Sequence, residues 1–152
     1  MKKIALSLLS LLLCITFALS LLACQPSPTD TTSVSTAPSG ATRTGIWENA
    51  TYVTDTELGT GAKEIRVIVS GEGQWITFTI HTDAANLGDA LFGLGLINDA
   101  SFFDTANGIT ATWSVNEAWW NVLDANDVPT SAVNVTPISG GELFKIVYTL
   151  GF

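Results

Sequence analysis

The chain has 152 residues, of which 47% are hydrophobic, and its fourteen acidic and six basic side chains give a net charge of −8. Binding to nucleic acid or to anionic lipid needs clustered Lys and Arg, so this balance argues against both kinds of partner. The length allows one hydrophobic core, built from on the order of 100 residues.

The first residues are typical of an export signal. Lys2 and Lys3 give a positively charged start, and residues 4–22 form an apolar run that is broken only by Ser, Thr and Cys14. A charged start followed by such a run is the pattern of a signal peptide. About 20 apolar residues can also span a bilayer, so an uncleaved signal anchor is an alternative.

The apolar run ends in "LLACQ", in which Ala23 precedes Cys24. This segment resembles the bacterial lipobox, whose Cys is acylated and becomes the mature N-terminus. The resemblance implies a lipoprotein signal peptide over residues 1–23 and an extracytoplasmic protein that acylated Cys24 anchors to the lipid bilayer of the cell membrane. Soluble secretion is the other alternative. Cleavage would leave four basic and fourteen acidic residues, a net charge of −10.

After Cys24 the chain reads "QPSPTDTTSVSTAPSGATRT" as far as residue 44. Ser, Thr and Pro dominate this segment, and its few apolar side chains cannot offset the entropy of ordering the chain. We therefore predict a disordered linker over residues 24–44 and one folded domain over residues 45–152. Cys14 would leave with the signal peptide, so packing alone must stabilise a domain that has no disulfide.

The first half of the domain predicts a β-hairpin. Apolar and polar residues alternate in "EIRVIVS" and in "QWITFTIH", and the intervening "GEG" is a turn signal. Trp75 lies on the polar side of its strand, opposite the apolar face. That apolar face is expected to carry Ile65, Val67, Val69, Ile76, Phe78 and Ile80.

The next segment, "TDAANLGDALFGLGLI", predicts a short helix. Leu87, Ala90, Leu91 and Leu94 recur at helical spacing and form one apolar stripe. Thr82, Asp83 and Asn86 are the alternative N-caps, and Gly95 is expected to end the helix because glycine accepts a positive φ without strain.

The remaining segments predict strands. "GITATWSV" and "AWWNVLD" are interpreted as two strands, and "ELFKIVYTL" as the last one. Two strands, a helix and then several strands predict an α+β fold, a β-grasp-like mixed sheet with one short helix packed across it.

Four segments, taken in order, resemble the domain-of-unknown-function 4430 family, also called the transcobalamin-like C-terminal domain: "TGIWENATYVTDTELGTGAKEIRVIV", "TFTIHTDAANLGDALFGLGLI", "NGITATWSVNEAWW" and "VNVTPISGGELFKIVYTLG". Trp119 and Trp120 take the family's aromatic-Trp places. The resemblance covers residues 45–152 and implies a non-catalytic β-grasp module on a bacterial cell-surface lipoprotein. In the animal cobalamin carriers the similar domain closes over a corrinoid that a separate helical domain holds. A corrinoid is therefore one candidate ligand, and no cofactor is expected.

A search for catalytic groups finds little in the sequence. His81 is the only histidine, and no second His or Cys of the folded domain could join it as a metal ligand or base. The segment "DAND", residues 124–127, begins like a calcium loop but lacks the Gly and Glu that such a loop needs, so it is interpreted as a turn. We expect a protein that is not an enzyme and holds no metal.

The tryptophans remain as candidate binding residues. Adjacent residues of a strand face opposite ways, so we expect Trp120 in the core and Trp119 on the surface with Asn121. Exposed indoles are enriched where partners dock, which makes Trp119, Trp75 and Asn121 the candidate ligand-binding residues. Two functions stay open: capture of a small molecule, with a corrinoid as one candidate, or a structural module that binds protein or glycan at the cell wall.

Overall fold

The structure, a computed structural model, describes residues 42–151. The predicted signal peptide, Cys24 and nearly all of the predicted linker lie outside the described residues. Within residues 42–151, no helix has both the length and the apolar character that crossing a membrane requires. The strands are β1 (Thr56–Gly59), β2 (Lys63–Gly71), β3 (Gln74–Thr82), β4 (Thr105–Ala106), β5 (Ile109–Thr110), β6 (Ala118–Leu123) and β7 (Leu143–Leu150).

Five of these strands form one mixed sheet in the order β1-β3-β2-β7-β6, and β4 and β5 form a separate pair. The predicted hairpin of β2 and β3 is confirmed, with Val67 opposite Phe78 in the antiparallel register. β1 runs parallel to β3, β7 runs parallel to β2, and β6 is antiparallel to β7. The expected apolar face is fully buried, so the core lies on one side of this sheet.

The predicted helix forms over Leu87–Gly93 and is called α1. Of the three alternative N-caps, Asn86 takes the role, because its Oδ1 accepts a hydrogen bond of 2.8 Å from the backbone N–H of Asp89. Gly95 follows the helix with a φ of +68°, as expected of the residue that ends it. The helix buries Leu87 and Leu91 in the same core as the sheet, which confirms the α+β class and the helix packed across a mixed sheet.

The prediction that "GITATWSV" forms one strand is wrong. Only Ile109–Thr110 is extended, and a short helix, α2, spans Trp113–Asn116. The side chain of Asn116 folds this segment back on itself: its Oδ1 accepts from the backbone N–H of Thr112 at 2.8 Å, and its Nδ2 donates to the carbonyl of Thr110 at 2.9 Å. Such local side-chain bonds compete with strand pairing, which is why the alternation of residues misleads here.

The start of the domain, for which the sequence predicted no element, forms a 3-10 helix over Gly45–Asn49. It inserts Trp47 into the core, where the indole is completely buried and its Nε1–H donates to the carbonyl of Gly71 at 2.8 Å. Arg43, from the end of the predicted linker, lies over the Trp47 ring at 5.1 Å and donates to the carbonyl of Val53 at 2.7 Å.

The predicted turn after β6 is confirmed. The Oδ1 atom of Asp124 accepts from the backbone N–H groups of Asn126 and Val128 at 2.8 and 3.0 Å. The bond from Val128, and then the bond from Asn126, lower the pKa of Asp124. Backbone bonds from Asp124 to Val128 and from Thr130 to Val122 then lay the returning chain along the outer edge of β6. Only the second half of that edge is covered in this way.

Candidate functional site

A groove of about 530 Å³ borders the uncovered first half of β6. The loop that leads into β4 and the segment that leads into α2 form its other walls. Its volume lies within the range of about 300–1,000 Å³ that small-molecule sites usually have. Five of the nine residues that line it are aromatic: Phe102, Phe103, Trp113, Trp119 and Trp120.

Trp113 and Trp119 form a pair at the mouth of this aromatic groove. Their ring centroids are 5.8 Å apart and the ring planes are tilted by 45°, so the two indoles form an open wedge. Both rings stay accessible, with 59% of Trp113 and 37% of Trp119 exposed. A methyl group at Gly151 would overlap the Trp113 ring, which shows how closely this indole rests on the backbone beside it. Two exposed indoles that contact each other provide a surface on which a ligand can stack.

Trp119 and Trp120 point to opposite faces of β6, as expected. Trp120 packs against the core with its ring edge-on to Tyr148, at a centroid distance of 5.4 Å. Its Nε1–H donates to the carbonyl of Asp104 at 3.1 Å, so the residue is half-buried and also holds the loop before β4 in place. Trp120 therefore closes the inner wall of the groove, whereas Trp119 stands on its outer side.

Phe102 projects from the rim of the groove with 93% of its surface exposed. It sits on a turn in which Oδ1 of Asp99 accepts from the backbone N–H groups of Ser101 and Phe102 at 2.7 and 2.8 Å. The bond from Phe102 is the larger cause, and that from Ser101 the second, of a pKa of Asp99 below its ordinary value. The carboxylate thus stays ionised, and the turn keeps its acceptor, to a lower pH than for an ordinary Asp.

The structure places the other two predicted binding residues outside this groove. Trp75 and Asn121 lie on the face of the sheet opposite the core, in one cross-strand row with Ser70 and Val147 between them. Three strand spacings separate them, which is about 14 Å. Asn121 is two residues from Trp119 on the same face, and its Nδ2 lies 3.4 Å from Oγ1 of Thr149. Trp75 is half-buried, and neither residue lines the groove.

Trp113 is the main residue that the sequence analysis missed. The sequence pattern puts it inside a predicted strand and gives no indication that its ring lies against Trp119. The signal that could have found it is Asn116, since Asn favours turns and helix ends over strand interiors.

His81 lies at the end of β3, where its Nε2 is 2.7 Å from Oε1 of Glu57 on the neighbouring strand. Glu57 is largely exposed, so the pair sits at the sheet surface. Within residues 42–151, no group of three or more His, Cys, Asp or Glu side chains is placed to hold a metal ion.

A second, more polar cavity of about 370 Å³ lies near the 3-10 helix and α2. Asn116, which lines it, already bonds to the backbone of Thr110 and Thr112. Tyr148 reaches toward the same side chain, and its pKa is raised by burial first and by the negative charge of Glu72 second. The side chain of Asn116 is therefore already used in hydrogen bonds that stabilise the fold.

The described residues form a small α+β domain with an aromatic groove on its surface. No family model and no curated protein matches the sequence. Among solved structures, the chain is similar to a protein from Ruminococcus gnavus ATCC 29149 whose suggested activity is metal binding, with a TM-score of 0.54, 28% identity, and coverage of 60% of this chain and 100% of that chain. It is also similar to haptocorrin in complex with Cbi, with a TM-score of 0.46 and 9% identity over 62% of this chain, which spans 27% of the haptocorrin chain.

Proposed function

We propose that this chain is a lipid-anchored extracytoplasmic lipoprotein whose domain binds a small-molecule ligand in the aromatic groove and performs no catalysis. The observation that carries the proposal is the exposed wedge of Trp113 and Trp119 beside a groove of about 530 Å³. The Ruminococcus gnavus protein, whose suggested activity is also binding, supports the class of function. A hydrolytic activity that His81→Ala abolishes would overturn the non-catalytic part of the proposal.

The ligand that suits this groove has a flat or apolar ring face. Indole rings bury large areas and stack on such faces, and the half-buried Trp120 continues the aromatic wall inward. The order of the sequence segments further supports membership of the transcobalamin-like C-terminal domain family. A corrinoid is accordingly the first ligand to test, and the groove would take one edge of that macrocycle.

Calorimetric titration of the full chain in detergent micelles with cobinamide tests the proposal, because calorimetry is insensitive to the colour of the corrinoid. Trp119→Ala should weaken binding by at least about tenfold, the loss typical of a central aromatic contact. Trp75→Phe is the matched control, since Trp75 lies outside the groove and should leave the affinity unchanged. Loss of binding in the Trp75 variant alone would move the site away from the groove, to the part of the solvent-facing sheet surface around β3.

A second candidate function is a structural or interaction module that binds protein or glycan at the cell wall. The observation in its favour is the apolar surface beyond the wedge: Phe102 is 93% exposed and Val115 is 82% exposed, more than a small ligand would cover. Sedimentation of the chain with purified peptidoglycan tests it. Peptidoglycan binding that Phe102→Ser abolishes, together with no binding of cobinamide, would favour this function over small-molecule capture.

The proposed lipid anchor at Cys24 is tested separately. Cys24→Ser should release the protein from membranes and prevent its labelling by a radioactive or clickable fatty acid, because the acylated thiol is the proposed attachment. Cys14→Ser is the matched control, since Cys14 lies inside the proposed signal peptide and should leave both properties unchanged. Membrane fractions that keep the Cys24 variant with undiminished labelling would contradict the lipoprotein assignment.

A further inference from the structure

The charges around the aromatic groove discriminate between ligands of different sign. We infer that the part of the ligand that contacts the indole wedge is cationic, of the quaternary or tertiary ammonium class. This inference rests on the proposed function, because it concerns the ligand of the same groove. It goes further by naming the chemical group that the rings would recognise.

The first argument is the distribution of charged side chains. The residues that line the groove include the acidic Asp104 and no Lys, Arg or His. Asp99 and Glu117 lie close to lining residues along the chain, so the surroundings of the groove are acidic as well. Four basic and thirteen acidic residues occur between residues 42 and 151, which gives this part of the chain a net charge of −9.

None of the basic side chains of the described residues lines the groove. Lys145 is 2.6 Å from Oδ1 of Asp127, in the turn beyond the opposite end of β6. Lys63 donates to the carbonyl of Ala84 at 2.6 Å, and Arg43 donates to the carbonyl of Val53. The remaining one, Arg66, lies on β2 in register with the start of β7. An anionic ligand would thus enter a field of its own sign, whereas a cation would be drawn in.

The second argument is the geometry of the rings. An aromatic face carries the negative part of the ring quadrupole, and a cation within about 6 Å of the centroid is attracted to it, most strongly by indole. Trp113 and Trp119 present two such faces in one wedge, with centroids 5.8 Å apart. A methylated ammonium group can contact both rings at once, since its charge is spread over apolar methyl groups. A quaternary ammonium group has no N–H and needs no hydrogen-bond acceptor from the wedge, which offers apolar surface, and the single N–H of a tertiary group can stay in water.

The test uses choline and 3,3-dimethylbutan-1-ol, which have the same shape and differ in the positive charge. Both are titrated into the full chain in detergent micelles and followed by calorimetry and by tryptophan fluorescence. Choline should bind about fivefold to thirtyfold more tightly than the neutral alcohol, the ratio that a cation–π contact supports. Equal or weaker binding of choline would overturn the inference.

Two variants separate charge recognition from simple packing. Trp119→Leu keeps an apolar side chain and removes one of the two ring quadrupoles, so it should reduce the preference for choline rather than weaken the binding of both probes alike. Asp104→Asn keeps the Oδ1 atom that accepts from Asn98 and should weaken choline without changing the affinity for the alcohol. A preference that is undiminished in both variants would contradict the proposed contact.

The outcomes also separate this inference from the proposed function. Cobinamide binding that depends on Trp119, combined with no preference for choline over the alcohol, would refute the cationic ligand and leave the groove as a ligand site. No binding of choline, the alcohol, cobinamide or peptidoglycan would refute both the cationic ligand and the proposed function.

Discussion

Replacing Trp47 by alanine should lower the free energy of unfolding by about 3–5 kcal/mol, the usual cost of removing a fully buried indole. The side chain is completely buried, and its N–H satisfies the carbonyl of Gly71 at the end of β2. The variant would therefore leave a large cavity and remove a buried hydrogen bond to this carbonyl. Urea denaturation followed by circular dichroism measures the loss without relying on the fluorescence of the residue that has been removed.

Two comparisons make the Trp47 prediction specific. Trp47→Phe fills most of the cavity and loses the N–H donor, so it should cost less than Trp47→Ala, about 1–3 kcal/mol. Trp113→Ala removes an indole that is 59% exposed and should change the stability by well under half of the Trp47 value. A Trp47→Ala protein as stable as the Trp113 variant would show that the 3-10 helix is dispensable to the core.

Two glycines of α1 should respond to alanine with opposite signs. Helix propensity favours alanine over glycine by about 1 kcal/mol at either position. At Gly88 a Cβ would overlap the carbonyl oxygen of Ala100 and lie 3.1 Å from the backbone N of Asn134, so the helix could not keep its approach to these segments. Gly88→Ala should therefore destabilise the domain by about 1–3 kcal/mol, the range of overpacked cores.

Gly93 is the matched control in the same helix. A Cβ there meets no heavy atom within 4 Å, so Gly93→Ala should stabilise the domain by up to about 1 kcal/mol. Thermal unfolding of the two variants gives the sign directly. Equal shifts in the same direction would mean that the backbone of Ala100 moves aside easily and that the close approach of the helix has no energetic weight.

Periodicity predicted the parts of the fold that carry repeated apolar residues. The alternation in β2, β3 and β7 and the helical spacing of Leu87, Ala90 and Leu91 are the direct expression of burial on one face, so these elements were found. The same alternation placed Trp119 and Trp120 on opposite faces of β6. Periodicity failed where few residues repeat: the 3-10 helix around Trp47 and the segment before Asn116 follow single contacts and local side-chain bonds, which have no period.

The candidate site also combines features that the sequence predicted with features that it did not. The sequence determined that Trp119 faces outward, because strand geometry alone decides it, and the acidic composition led to the prediction that nucleic acid and anionic lipid are disfavoured as partners. Only the tertiary structure decided that Trp113 lies beside Trp119 and that Trp75 lies three strands away on the same face of the sheet. Trp113 lies beside Trp119 because the hydrogen bonds of Asn116 turn α2 back toward β6. Trp120 holds the loop before β4, the other wall of the groove, through the carbonyl of Asp104. A groove needs walls from segments distant in sequence, and alternation along one strand carries no information about what packs opposite it.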